Sequence, residues 1–241
     1  MEGDKLIIDC HSHILPRIDD GSRSVNESME LLNMEYKQSV SRVIATPHFY
    51  ASKHSVDRFL THRQESYENL LCGLEKKEDT KYPKIVLGAE VYYFPGVGKA
   101  EHISKLCIGE SKYLLLEMPF CQWDQEVYQD VTRLIEHQKL KVILAHLERY
   151  HEFQKKKEVW NEILQLPVVI QLNADSFFGW KKRKFCLDVL KKYDHVVMGS
   201  DCHNISRRPP HIEEARQVIL ERGNVSLLGK VDENAKRIWQ A

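Results

Sequence analysis

Seven short apolar runs alternate with longer amphipathic stretches along this chain, and almost every run ends in a histidine, an aspartate or a glutamate. The runs are 5–10 (KLIIDC), 42–46 (RVIAT), 84–93 (KIVLGAEVYY), 113–118 (YLLLEM), 141–146 (KVILAH), 168–173 (VVIQLN) and 195–200 (HVVMGS). Their length and β-branched content predict strands. Helices are expected near 24–39, 55–76, 125–138, 151–166, 181–193, 210–222 and 232–239. The first has a capping box, with Ser24 as its cap and Glu27 three residues on. Residues 72–83 read as a helix end and a surface loop. Repeated strand–helix units imply a mainly parallel sheet with right-handed crossovers. The 241 residues, 42% of them hydrophobic, suffice for one sizeable core. The expected fold is α/β, a closed or nearly closed barrel of seven strands in a single domain, 1–241.

The polar residues fall on one end of those strands. His11 and His13 follow the first, with Asp20 or its neighbour Asp19 on the loop beyond. His48 follows the second, Glu90 lies in the third, and Glu117, His146 and Asp201 with His203 end later ones. The C-terminal ends of parallel barrel strands share one face, where active sites collect. Residues i and i+2 of an extended segment point the same way, so His11 and His13 can ligate one ion, as can Asp201 and His203. Asp9 reads as a supporting or core residue. A lone buried histidine is more often a hydrogen-bonded core residue than a ligand. A carboxylate in an apolar run such as LLLEM is harder to explain, because burying it unpaired costs several kcal/mol. Eight or nine nitrogen and oxygen donors exceed one tetrahedral site and fit two or three divalent ions such as Mn, Fe or Zn. His54, His62, His102, His137, His151, His195 and His211 have no such pattern and read as surface or structural.

Lys plus Arg equals Asp plus Glu at 35 each, so overall charge supplies no attraction to nucleic acid or to an acidic membrane. The basic run WKKRKF at 180–185 reads as a solvated face. No stretch approaches the roughly 20 apolar residues that span a bilayer, and the acidic start does not resemble a signal peptide. Six cysteines without CxxC spacing read as reduced thiols in a cytoplasmic protein.

The segments DCHSH, IDDG, ATPH, GAEVYY, LLLEM, AHLERY and SDCHN…RPPH, in this order, resemble the PHP (polymerase and histidinol phosphatase) superfamily. AHLERY with DCHN…RPPH resembles in particular its branch of bacterial metal-dependent tyrosine phosphatases from capsule and exopolysaccharide operons. The resemblance implies a distorted (β/α)7 barrel holding three metals, often manganese. It assigns His11, His13, Glu90 and Asp201 to one metal. Glu90 bridges to a second, shared with Glu117 and His146, and Asp20, His48 and His203 hold the third. Arg149 and Arg208 match phosphate-binding positions, with Arg207 the alternative to Arg208. The implied substrate is a phosphorylated tyrosine kinase tail; oligomerisation is left open.

The chemistry agrees with this resemblance. Two metals about 3.5–4 Å apart activate a bridging water at neutral pH for in-line attack on phosphorus. A phenol of pKa about 10 leaves with little general-acid help. Cys202 to Arg208 also spells C-x5-R, the pattern of thiolate phosphatases. That reading is rejected, because the loop lacks phosphate-wrapping glycines and Pro209 and Pro210 have no amide donors. The other functions weighed are a small-molecule phosphatase for histidinol phosphate or a nucleotide, a nuclease of the same superfamily, and a non-enzymatic metal-binding scaffold.

Overall fold

A computed structural model describes residues 6–77 and 80–241. Lys5, at the start of the first expected strand, and Glu78 and Asp79, in the expected 72–83 loop, lie outside the described residues, as does the acidic N-terminus.

In chain order the elements are β1 (Ile7–Ser12), α1 (Val25–Lys37), β2 (Val40–Ala45), β3 (His48–Phe49), α2 (Val56–Glu75), β4 (Lys84–Leu87), β5 (Glu90–Tyr92), β6 (Tyr113–Glu117), α3 (Gln125–Glu136), β7 (Lys141–Leu144), α4 (Glu158–Gln165), β8 (Val169–Asn173), α5 (Trp180–Lys192), β9 (Val196–Gly199), α6 (Ile212–Arg222) and α7 (Val225–Gln240). Ser24 caps α1 as expected, its side chain accepting from the Glu27 N–H. Every strand pairing is parallel. Tyr113 to Glu117 of β6 are all buried, as befits a parallel strand covered on both faces.

The strands form two sheets, β1-β2-β4 and β3-β5-β6-β7-β8-β9, so the expected closed or nearly closed seven-stranded barrel is not closed by a continuous ladder. The expected strand 84–93 divides between the sheets as β4 and β5, and the two-residue β3, beyond the expected strand 42–46, was not foreseen. Pro47, which has no N–H to give, separates β2 from β3, and Gly88–Ala89 separates β4 from β5. Single bonds carry the chain across these breaks, from Gly88 N–H to Ala45 O and from Glu90 N–H to Pro47 O. On the opposite side β9 leans on β1 through one bridge, Ser12 to Cys202, and through the Asp201 N–H to His11 O bond, without a continuous ladder.

Two helices differ from expectation. The segment 151–157 is not helical, so α4 starts at Glu158. Gln154 explains this: its amide accepts from Trp123 N–H and donates to Cys121 O, tying the segment to the loop after β6. Conversely α7 starts at Val225, well before residue 232, because Asn224 caps it by accepting from Leu227 N–H.

The larger apolar cluster lies between strands and helices. A smaller one joins both sheets, gathering Ile8, Ile44, Leu115, Ile143 and Val197 with Ala235 and Ile238 of α7. It supports the strand ends that carry the polar cluster. No helix of the described residues is long and apolar enough to cross a membrane.

Candidate metal centre

Four of the expected residues converge closely. His11 Nε2 and His13 Nε2 are 3.1 Å apart, and Glu90 Oε2 lies 3.2 Å from each. Asp201 Oδ1 is 3.3 Å from His13 Nε2 and 3.7 Å from His11 Nε2. The other Glu90 oxygen, Oε1, is 2.9 Å from His146 Nε2, which is 3.5 Å from Glu117 Oε1. Glu90 therefore stands between two donor groups, one oxygen in each. A third group forms at Asp20, whose Oδ1 lies 3.6 Å from both His48 Nε2 and His203 Nε2. Donor atoms of His13, Asp20, His48 and His203 all fall within 4.8 Å of one another. The structure thus gathers His11, His13, Asp20, His48, Glu90, Glu117, His146, Asp201 and His203 in one place.

Ring tautomers show what such a cluster accepts. Gln171 Oε1 already accepts the His146 N–H at 2.7 Å, so at 2.9 Å it accepts from His11 Nδ1 as well. His13 Nδ1 pairs with the Asp19 carboxylate at 2.8 Å, and His203 Nδ1 with the Asp201 backbone oxygen at 2.9 Å. In all three rings Nε2 is the nitrogen left facing the cluster. Partners on the far ring nitrogen that fix the tautomer in this way are a hallmark of metal-ligating histidines. His203 Nε2, His48 Nδ1 and Glu90 Oε2 are buried without a hydrogen-bond partner. Converging lone pairs and carboxylates require positive charge among them. The nitrogen and oxygen donor set, without thiolate, fits divalent Mn, Fe or Zn.

Protonation equilibria reflect the same demand. Burial opposes a charge on His13, but Asp19, Asp201 and Glu90 outweigh it and raise the ring well above its ordinary value. His146, buried against Glu117 and Glu90, is pushed up to about 9. Burial would raise the Glu90 carboxyl, yet His11, His13 and His146 hold it well below the usual carboxylate range. His203 falls to about 3, through burial and then the nearby His13 charge. Protons on these rings occupy the role that a metal cation takes over by displacing them.

The backbone is specialised here. His146 and Asp201 have φ of 30° and 52°, left-handed values that cost non-glycine residues of order 1–3 kcal/mol and gather at functional sites. Gly199, just before, must lack a side chain, since a Cβ there would sit 2.5 Å from His11 Cβ.

Both expected arginines arrive at Asp201. Arg149 Nη2 and Arg208 Nη2 reach its Oδ2 at 2.5 and 2.7 Å. Asn173 Nδ2 donates to the same oxygen at 2.7 Å. Arg207 is exposed, and among the described residues it is Arg208 that pairs with Asp201. The adjacent aspartates also separate in role: Asp20 faces the cluster, whereas Asp19 holds His13 and accepts the His48 N–H at 2.9 Å. Asp9 points elsewhere, taking Ser200 N–H and Oγ and lying near Glu35 and Cys202. The sequence reading missed Gln171 and Asn173. Their only signal is a polar pair, two residues apart, at the buried end of β8.

A model of the capsular polysaccharide synthesis family CpsB/CapC matches residues 7–239. The chain belongs to that family. It is 28% identical over 227 residues to the tyrosine-protein phosphatase CpsB of Streptococcus pneumoniae, covering 90% of each chain. It is 25% identical over 246 residues to the tyrosine-protein phosphatase YwqE of Bacillus subtilis (strain 168), covering 95% of this chain and 90% of that one. Its fold matches a solved structure from work on YwqE and CpsB, described as metal-dependent tyrosine phosphatases, with a TM-score of 0.84 at 24% identity. The match covers 97% of this chain and 94% of the other. In this family member the donor cluster and its arginines lie within the matched span.

Proposed function

We propose that the chain is a metal-dependent phosphatase that hydrolyses phosphotyrosine on proteins, working as one domain over 1–241. The observation that carries this reading is a buried donor cluster with two guanidinium groups on its rim. The names of the CpsB and YwqE relatives support it. A cytoplasmic tyrosine kinase tail that governs capsule or exopolysaccharide synthesis is the substrate this reading favours. It also takes the two sheets as arcs of a distorted (β/α)7 barrel.

In this reading His11, His13, Glu90 and Asp201 hold one divalent cation. Glu90 shares a second with Glu117 and His146, and Asp20, His48 and His203 hold a third, Mn being the first candidate. Such cations, when bound, lower the pKa of water to supply a nucleophile and neutralise charge on the phosphoryl group. The rest falls to the chain itself. Asp19 and Gln171 orient His13 and His11. Arg149 and Arg208 bind phosphoryl oxygens through their planar forks, where charge builds in phosphoryl transfer. The buried Cys202 thiol, raised far above its ordinary value by burial, is no nucleophile. A phenolate of pKa about 10 leaves without a dedicated acid.

Phosphate release from a phosphotyrosine peptide, measured beside histidinol phosphate, tests the reading. Preferential turnover of the peptide supports it. Turnover of histidinol phosphate alone keeps the metal centre but moves the function to metabolism.

A further inference from the structure

The basic run at 180–185 is mostly exposed, as expected of a solvated face. α5 opens with Lys181, Lys182, Arg183 and Lys184 and has no acidic residue in its first turn. Cations at the positive end of a helix are unfavourable, so this arrangement costs stability. Internal pairing does not offset that cost for the first two: among the described residues Lys181 and Lys182 are in no ion pair, whereas Lys184 pairs with Asp188.

Lys181 and Lys182 line a groove of about 810 Å³ with Phe120, Arg149, Phe153 and Lys157. Two of these residues belong equally to the metal centre's surroundings. Arg149 donates to Asp201, and the Phe120 ring lies over His146 at 6.0 Å and 20°. The groove therefore borders the candidate site. Phe120 and Phe153 are 38% and 43% exposed, offering ring faces to a ligand. Lys157 is half-buried above Trp160 and is likewise in no ion pair among the described residues. The carboxylates of the groove are Glu148, buried and bonded to Ser176, and Glu152, exposed at the rim. The balance of charge facing the groove is positive.

We propose that this groove is a subsite for the polypeptide beside the phosphotyrosine, and that Lys157, Lys181 and Lys182 select substrates with Asp or Glu next to the phosphorylated residue. The inference rests on the phosphatase reading and names the sequence chemistry its substrate carries. An extended acidic segment meets the lysines while the aromatic rings take its apolar atoms.

The test uses the full chain loaded with Mn and three substrates: a phosphotyrosine peptide with acidic flanks, the same peptide with Asn and Gln in their place, and p-nitrophenyl phosphate. At low salt kcat/KM for the acidic peptide should exceed that for the neutral one by about tenfold, the size expected of a few half-exposed ion pairs. The difference should lie in KM and shrink as salt is added. In the double variant Lys181→Ala, Lys182→Ala the ratio should approach one. Lys181→Glu with Lys182→Glu should invert it. Both positions are exposed, so folding is not at stake. Equal kcat/KM for the two peptides, or a ratio unmoved by charge reversal, overturns the groove while leaving the phosphatase intact. Turnover of p-nitrophenyl phosphate with neither peptide cleaved overturns the protein-phosphatase reading and the groove with it.

Discussion

Arg149 donates to Asp201 at 2.5 Å, on the carboxylate oxygen turned away from the histidines. The other oxygen faces His11 and His13. One aspartate thus joins the donor cluster to the cations beside it. Burial alone would raise its carboxyl, yet His11, His13 and Arg149 hold it well below the usual range.

Arg149→Ala should therefore lower turnover while the protein keeps its metal. Loss of one charged donor to the phosphoryl group costs about 10²-fold in kcat. Arg208→Ala should behave alike, and the exposed Arg207→Ala should stay near the parent. Steady-state kinetics with metal analysis of the same samples check this. Metal lost from Arg149→Ala would show a role in building the site and not in binding phosphate.

Glu90→Gln removes the carboxylate that has one oxygen beside His11 and His13 and the other beside His146. Metal per chain should fall by at least two sites. A variant that stays fully metallated would remove Glu90 from its bridging role.

Cys202→Ser should retain most of its turnover. The Cys202 side chain gathers with Asp9 and Glu35, away from the donor cluster. Loss of turnover with metal content unchanged would revive the thiolate mechanism.

Asp9 and Glu35 are both fully buried and lie close together, and burial followed by the Asp9 charge raises Glu35 well above 4.5. The folded chain then keeps a proton that the unfolded chain releases. Its stability falls as pH rises from about 4.5 through the raised folded value. Glu35→Gln mimics the protonated acid and removes this dependence. Tm against pH should be flatter above about pH 5, and at pH 8 the variant should melt at or above the parent, ~2–4 °C higher per kcal/mol relieved. A lower Tm at pH 8 would mean that the ionised pair is stabilising.

Much of this site was legible because strand alternation is a local rule. HxH and DxH each place two donors together, and an acid in an apolar run such as LLLEM demands a partner. Spacing alone left Asp19 and Asp20 inseparable, and only the family resemblance singled out Asp20, because the turn that aims one at His13 and the other at His48 and His203 is set by packing. A Cβ on Gly21 would meet the His13 backbone oxygen at 2.4 Å, a fit visible only in three dimensions. Gln171 and Asn173 were missed because neutral amides carry no charge signature. The division into two sheets depends on ladder geometry beyond Pro47 and Gly88. The early start of α7 turns on the Asn224 cap, and the late start of α4 on bonds made by Gln154 to a segment some thirty residues away.

The central claim is that a metal centre built by these side chains hydrolyses phosphotyrosine. The most direct measurement is phosphate release from a phosphotyrosine peptide by the protein as purified, after chelation, and after Mn is restored, with metal counted at each stage. The account predicts turnover that disappears with the metal and returns with Mn. Turnover that persists in metal-free protein, or none in fully loaded protein, would contradict it.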